Sequence, residues 1–531
     1  MTPVGDSPPT ASAPSVHPSP ARPDDRWAAV SGVLACAVTL AVASLVAVLF
    51  GPSSNPAVAV GGAFVDATPA WLKDAAIAAF GTNDKVALFA GMAIAFLLLG
   101  ALIGLVAARH LRVALGLVAA VGAVGLAAVL TREGAGTGDA LPTLVGAVAG
   151  MLTLRALVAR LPLRGSTATT EPAQYGSDRR TFLRYAALTT SLAAVAAVGG
   201  QLLGASRRIA ETARSALRLP AAARPAPALP AGVQSAAPGV TPFVTPTNEF
   251  YRIDTALLIP QVNPDTWSLR VYGMVEEEVE ITFDELLAAD LVEAWVTLAC
   301  VSNTVGGELV GNAKWLGLPI RELLARAKPL PGADMVLSRS VDGFTASTPL
   351  EVLTDDRDAL LAVAMNDEPL PLKHGFPVRM VVPGLYGYVS ATKWVTELKV
   401  TTFADDVAYW TPRGWTERGP IKTASRIDVP RPDADLTAGT IAVGGVAWAQ
   451  HTGVIAVEVQ VDDGDWVAAT LADEASTDTW RQWSYRWEAS SGRHTLRVRA
   501  TDATEEVQTS TQAPPAPDGA SGWHEVTVEV A

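Results

Sequence analysis

Cysteine and histidine are scarce in this chain, at two and six of 531 residues. Cys36 falls inside a hydrophobic segment near the front and Cys300 far downstream, so no disulfide between them staples the fold. There is no Cys-x-x-Cys-His, and the hydrophobic front holds only His110, at a helix end, which argues against a haem held there by two histidines. Solenoid-type repeats are absent. The formal net charge is −13, the sequence pI is about 5.0, and no basic stripe marks the second half, so nucleic acid is not an expected partner. Charged residues are missing from the middle of the hydrophobic segments. The one candidate, Arg155, lies near an end, which argues against a transporter or channel.

Apolar residues are abundant, at 49% of the chain, and at this length more than one domain is expected. Long apolar stretches cover about 27–50, 86–108, 113–131, 141–159 and 185–204, each near the roughly 20 residues that a spanning helix needs. They predict five transmembrane helices over 27–205, behind a disordered cytoplasmic leader, 1–26. Basic residues favour cytoplasmic loops. Arg22 and Arg26 precede the first span, Arg109 and Arg112 flank the second turn, and Arg160, Arg164, Arg179, Arg180 and Arg184 precede the fifth. This places the N-terminus inside and everything after residue 205 outside the cell membrane. Arg207, Arg208, Arg214 and Arg218 run against the rule on the outer face.

The run Ser177-Asp178-Arg179-Arg180-Thr181-Phe182-Leu183-Arg184 before the fifth span reads either as a twin-arginine export signal or as an ordinary basic flank. Residues 206–246 are rich in proline and alanine, a composition that disfavours helix and sheet and predicts a semi-rigid spacer. Beyond it lies a folded region of about two domains.

The block 295–405 alternates strand-like and helix-like pieces, a mixed α/β pattern, with Pro319 placed at the first turn of a helix from Ile320 to Ala327. Within the apolar strand around Val378–Val382 stands Arg379. A buried guanidinium requires either a structural carboxylate or a ligand anion such as a phosphate. From about residue 436 the period becomes two. Val457, Val459 and Val461 alternate with polar residues ahead of Asp462-Asp463-Gly464-Asp465, a hairpin signal. The same period in 494–499 and 523–530 predicts an immunoglobulin-like β-sandwich with no reaction centre of its own.

Cys300 ends the apolar run Ala294–Cys300 just before the polar turn Val301-Ser302-Asn303. A lone cysteine is commonly a small buried hydrophobe, whereas a thiol where a buried strand surfaces reads as a ligand.

Five motifs, in order, carry a resemblance: Asn248-Glu249-Phe250-Tyr251-Arg252, Leu298-Ala299-Cys300 with Asn303, Lys314-Trp315-Leu316-Gly317-Leu318-Pro319, Gly375-Phe376-Pro377-Val378-Arg379, and Tyr386-Gly387-Tyr388 with Lys393-Trp394. Together they resemble the sulfite oxidase family of molybdopterin-dependent oxidoreductases. The C-terminal stretches Gly444–Trp448 and Gly522-Trp523-His524 are similar to that family's dimerisation domain. The resemblance implies an oxidoreductase domain over 247–419, holding a molybdenum–molybdopterin cofactor, and an immunoglobulin-like domain over 420–531 that pairs two subunits. The hydrophobic front lies outside it. Cys300 is implied to be the catalytic thiolate on the metal, where a soft sulfur ligand suits the chemistry. Asn248, Tyr251, Arg252, Ser340, His374, Arg379, Ser390, Thr392 and Lys393 are implied to hold the pterin and its phosphate.

The implied reaction is two-electron oxygen-atom transfer on a small substrate such as sulfite or a sulfoxide. The family's Cys-x-Gly-Asn-Arg-Arg pattern here reads Cys300-Val301-Ser302-Asn303-Thr304-Val305, and Lys314 stands where Ala-Arg-Trp is expected. Two positive charges are absent, which leaves sulfoxide reduction or another small oxyanion open. The membrane helices are either an anchor or a site for an electron partner, quinone or cytochrome. The alternative reading is a non-catalytic, membrane-bound sensor or binding module on the same fold.

Overall fold

The computed structural model describes residues 22–50, 54–69, 84–132, 135–161, 180–191, 205–432 and 434–531, with short isolated pieces at 72, 79–80, 163–164 and 193–194. The chain divides into two compact units, 1–203 and 204–531.

The first unit is helical. α1 (Asp25–Ala47) starts where the Asp24 carboxylate accepts the Arg26 N–H. α2 (Pro56–Ala67) is capped by Asn55, with proline at its first turn. α3 (Asp84–Ala107), α4 (Leu111–Leu130) and α5 (Ala140–Val158) follow. α1 and α3 approach closely enough that a methyl group on Gly32 would collide with the Gly100 carbonyl, and one on Gly104 with that of Ala28. Small residues thus set the helix–helix distance. The outward faces carry Leu98, Leu102, Val124 and Leu152, the reverse of a helix built to face water.

Among the described residues four helices are long and apolar enough to cross a membrane: Asp25–Ala47, Val86–Ala107, Leu111–Leu130 and Thr137–Val158. They correspond to the first four expected spans. Of the fifth, 185–204, residues 185–191 and 193–194 are helical and the rest lies outside the described residues, as do Arg179 and residues 1–21 of the leader. Between the first two expected spans lies α2, whose 12 residues fall short of a span.

The second unit opens on α6 (Ala205–Ala216) and an extended strap, 217–246. The spacer expected there is not free. Its prolines remove backbone donors, and some of the remaining groups pair with the fold: Ala223 N–H donates to the Leu291 carbonyl at 2.8 Å and Glu293 N–H to that of Arg224 at 2.9 Å. Val233, Ala237, Val240 and Phe243 are buried.

Two sheets follow, one mixed and one antiparallel. One contains β1 (Ser268–Gly273), β2 (Val279–Thr282), β5 (Met335–Ser340), β6 (Thr345–Pro349) and β10 (Val395–Thr401), in the order β2-β1-β10-β5-β6 with β1 and β10 parallel. The other runs β8 (Glu368–Pro369), β7 (Leu360–Met365), β4 (Val310–Pro319), β3 (Val292–Ala299), with β9 (Arg379–Val381) also on β7. α7 (Phe283–Ala288) begins in a Thr282/Glu285 capping box. α8 (Ile320–Ala327) buries Ile320, Leu323, Leu324 and Ala327 at helical spacing, as its sequence predicts.

The last part is all-β. Sheet β11 (Ala424–Val429), β12 (Gly439–Trp448), β16 (Arg481–Ala489), β15 (Thr470–Leu471) faces sheet β14 (Val467–Ala468), β13 (Val454–Val461), β17 (Gly492–Asp502), β18 (His524–Val530). Both contribute to one core of Val443, Val457, Trp483, Leu496, Val498 and Val528. The predicted hairpin after Val461 is present, turning through Asp462 at φ 53° into β14.

Candidate active site

β3 is an edge strand, and it delivers Cys300 to a turn. Cys300 N–H donates to the Leu309 carbonyl at 2.9 Å, and Asn303 Oδ1 accepts the Leu309 N–H at 2.9 Å, closing a loop over 300–309. The thiol is buried and faces a cavity, where burial pushes it up and the Ser302 hydrogen bonds and the Lys393 charge oppose that shift.

The cavity gathers side chains from distant segments. Tyr251 comes from the strap side, stacked on Phe250 with ring centroids 5.3 Å apart. Its hydroxyl is pushed up by burial first and by Cys300 second. His374 ends a short 3-10 turn, Leu372–His374, that stops at Gly375 in the left-handed region (φ 110°). It is 1% exposed, and its Nε2 has no hydrogen-bond partner. Burial first, then Arg379, Lys373 and Lys393, lower it to about 3, so the imidazole is neutral. Arg379, on β9, is 6% exposed. Its guanidinium makes long contacts with the carbonyls of Met380, His374 and Ala391, at 3.3, 3.3 and 3.5 Å, and lies 5.1 Å over the Trp315 ring. No carboxylate pairs with it among the described residues; burial lowers it to about 10. Lys393 is different. Its Nζ meets Asp254 Oδ2 at 2.6 Å, and burial nonetheless lowers it to about 8.

Six of the ten expected residues line this cavity: Tyr251, Cys300, Ser340, His374, Arg379 and Lys393. The other four do not. Arg252 grips Asp254 through Nε at 2.8 Å. Asn248 is exposed, with its carbonyl accepting from Lys373 Nζ at 3.4 Å. The Ser390 hydroxyl is spent on the Leu385 and Tyr386 carbonyls, and that of Thr392 on Ser338 at 2.7 Å. Hydroxyls in that segment satisfy nearby backbone or strand neighbours and do not face the cavity.

Sequence reasoning missed Asp254 and an aromatic rim. Phe344, Tyr388, Trp410 and Trp415 line the half-exposed side of the cavity with Ile253 and Asp342. Tyr388 packs 5.8 Å from Trp415 and Trp415 6.1 Å from Trp410, centroid to centroid. Tyr388 lies in the Tyr386-Gly387-Tyr388 motif, which was read for the family and not for a rim.

Residues 256–410 match the oxidoreductase molybdopterin-binding domain family. An uncharacterized oxidoreductase, YuiH, of Bacillus subtilis is 31% identical over 153 residues, covering 29% of this chain and 74% of that protein. This chain belongs to the molybdopterin-binding oxidoreductases. Mitochondrial sulfite oxidases of Drosophila melanogaster and Homo sapiens are each 28% identical, over 50% and 51% of this chain and 55% and 58% of their own length. The chain thus spans little more than half of those relatives. The sulfane dehydrogenase SoxCD from Paracoccus pantotrophus superposes with a TM-score of 0.47 at 22% identity, over 54% of this chain and 83% of its own.

The residues fit this family's cofactor. Among the described residues, a buried thiol, an imidazole nitrogen without a partner, and a guanidinium without a carboxylate share one cavity. The thiol is placed to serve as a ligand, and the unpaired nitrogen and the guanidinium are costly until they meet one. A molybdopterin offers a metal to the first, ring heteroatoms to the second and a phosphate to the third.

Proposed function

We propose that this oxidoreductase is membrane-anchored and extracytoplasmic, and that it performs two-electron oxygen-atom transfer on a small substrate such as sulfite or a sulfoxide. The observation that carries this reading is the convergence of Cys300, His374 and Arg379 on one cavity, with His374 Nε2 unpaired and Arg379 without a carboxylate partner among the described residues.

In this reading Cys300 holds molybdenum as its thiolate, which metal binding favours by displacing the proton. Arg379 takes the phosphate, and neutral His374 offers its free nitrogen to the pterin. Tyr251, Ser340 and Lys393 contact the cofactor within the cavity. Arg252 acts through Asp254. Asn248, Ser390 and Thr392 contribute backbone contacts in place of side chains. The bound cofactor supplies the two-electron redox chemistry. Sulfoxide reduction consumes two electrons and two protons and gives the sulfide and water; sulfite oxidation runs the other way, from sulfite and water to sulfate, two protons and two electrons.

The rim favours the first. Its aromatic faces offer area to an apolar body, while the nearby carboxylates Asp254 and Asp342 oppose a dianion, and Lys393 is already paired. The front helices serve as anchor and docking place for a quinone or cytochrome partner, with export assisted by Arg179-Arg180. Domain limits of 247–419 and 420–531 go with this function, the latter immunoglobulin-like and pairing two subunits.

The deciding experiment is molybdenum and pterin analysis of the purified full chain beside Cys300→Ala. About one metal per chain in the wild type, with loss or altered ligation in the variant, supports the reading. Well-folded protein without metal from a molybdenum-replete host overturns it.

A further inference from the structure

The turn that carries Cys300 is held from outside by the all-β part of the chain. Arg426, on β11, donates from a terminal guanidinium nitrogen to the Gly307 carbonyl at 2.9 Å, while its Nε is fixed by Asp428 Oδ1 at 2.7 Å. Asp428 Oδ2 in turn accepts the Thr241 N–H of the strap at 3.0 Å. His524, at the start of β18, lies against Gly306 so closely that a methyl group there would collide with its ring. Gly306 sits at φ 73°, in the left-handed region where glycine is favoured. The His524 ring is itself oriented, since its Nδ1 accepts the Ile427 N–H at 3.0 Å.

The strand before the turn is gripped in the same way. Thr297 N–H donates to the Asp478 carbonyl at 2.9 Å, its hydroxyl accepts the Trp480 N–H at 2.8 Å, and its carbonyl accepts from Gln450 at 3.2 Å. Thus residues three before and seven after Cys300 are fixed by groups from 426–524. Within the loop itself the turn is held by Asn303, by the Gly307 N–H bond to the Thr304 carbonyl at 2.9 Å and by the Cys300–Leu309 bond.

We infer that Arg426 and His524 are positioning residues for Cys300: they clamp the 300–309 turn so that the thiol stays inside the cavity. Its meaning for catalysis rests on the proposal that Cys300 is the metal ligand, but the clamp is a property of the protein without cofactor. A ligand thiol held by packing and hydrogen bonds loses less freedom on binding than one on a loose turn. The all-β part therefore acts on the site from a distance, with no side chain in the cavity.

The test is the rate at which iodoacetamide alkylates Cys300 in the folded full chain, purified in detergent from a host unable to make molybdopterin, in a Cys36→Ser background. Arg426→Ala and His524→Ala are expected to speed alkylation about tenfold through local opening, and Arg426→Lys to restore much of the slow rate. Ser425→Ala is the control. It removes a buried hydrogen bond to Gln508 from the same strand but touches nothing in the turn. Acceleration in both clamp variants and not in Ser425→Ala supports the inference. Rates equal to the parent's in a folded clamp variant, or equal acceleration in Ser425→Ala, overturn it. If Arg426→Ala fails to fold, His524→Ala decides alone. None of these outcomes depends on metal content, so a chain without molybdenum would overturn the proposed chemistry and leave the clamp standing.

Discussion

Lys393 and Asp254 meet at 2.6 Å with side chains only 8% and 5% exposed, and Arg252 Nε donates to the same carboxylate oxygen at 2.8 Å. Both cations were expected at the pterin, yet a carboxylate stands between them. The pair sits on the cavity wall, so its charge balance sets what an incoming anion meets.

Asp254→Asn is therefore expected to destabilise the protein by roughly 3–5 kcal/mol, the cost of leaving a buried charge unpaired. Asp254→Asn with Lys393→Met is expected to lose less than the single substitution. Chemical denaturation of the cofactor-free chain measures both, and additive losses would show the pair to be uncoupled.

His374 gives a pH signature. Its pKa in the folded chain is about 3, against the ordinary 6.5, so between those values the unfolded chain binds a proton that the folded chain does not. Stability from this group is present above about pH 6.5 and is lost as pH falls toward 3. In His374→Gln the rise of unfolding free energy with pH between 4 and 6 is expected to be shallower by up to about 1.4 kcal/mol per pH unit. An unchanged slope would mean the imidazole is not held neutral.

Trp410→Ala removes part of the rim. It is expected to raise KM for an aryl methyl sulfoxide about tenfold or more, the scale of lost apolar contact in a pocket, with kcat less affected. Steady-state kinetics with an artificial electron donor read this directly, and an equal effect on dimethyl sulfoxide would count against an aromatic subsite.

The strap makes a prediction about truncation. A soluble fragment beginning at residue 247 lacks the partners of Leu291 and Glu293 and uncovers the edge strand that bears Cys300. It is expected to aggregate or to unfold at lower temperature than a fragment beginning at residue 205, by size-exclusion chromatography and thermal circular dichroism.

What could be read from the sequence was whatever has a local cause. The four spans were legible because some twenty apolar residues in a row have few other uses. α2 was not, being short and broken by proline and glycine. Cys300 and Arg379 stood out as polar residues in apolar runs, while His374 was reached through the family resemblance alone. Asp254, Phe344 and Trp410 did not stand out, because nothing near them in sequence marks them; only the fold brings segments around 254, 344, 388 and 410 to one cavity. Residues 206–246 misled for a related reason. Proline and alanine describe how a segment behaves alone, and the unpaired edge of β3 that it covers is set by tertiary structure.

That edge also bears on how the chain is made. Translation delivers Cys300 well before Arg426, Asp478 and His524, the groups that hold its strand and turn. Contacts so distant in sequence form late and slowly. The emerging polypeptide therefore passes through an interval in which the thiol is synthesised but unclamped, and the turn reaches its finished form only after residue 524 has been made.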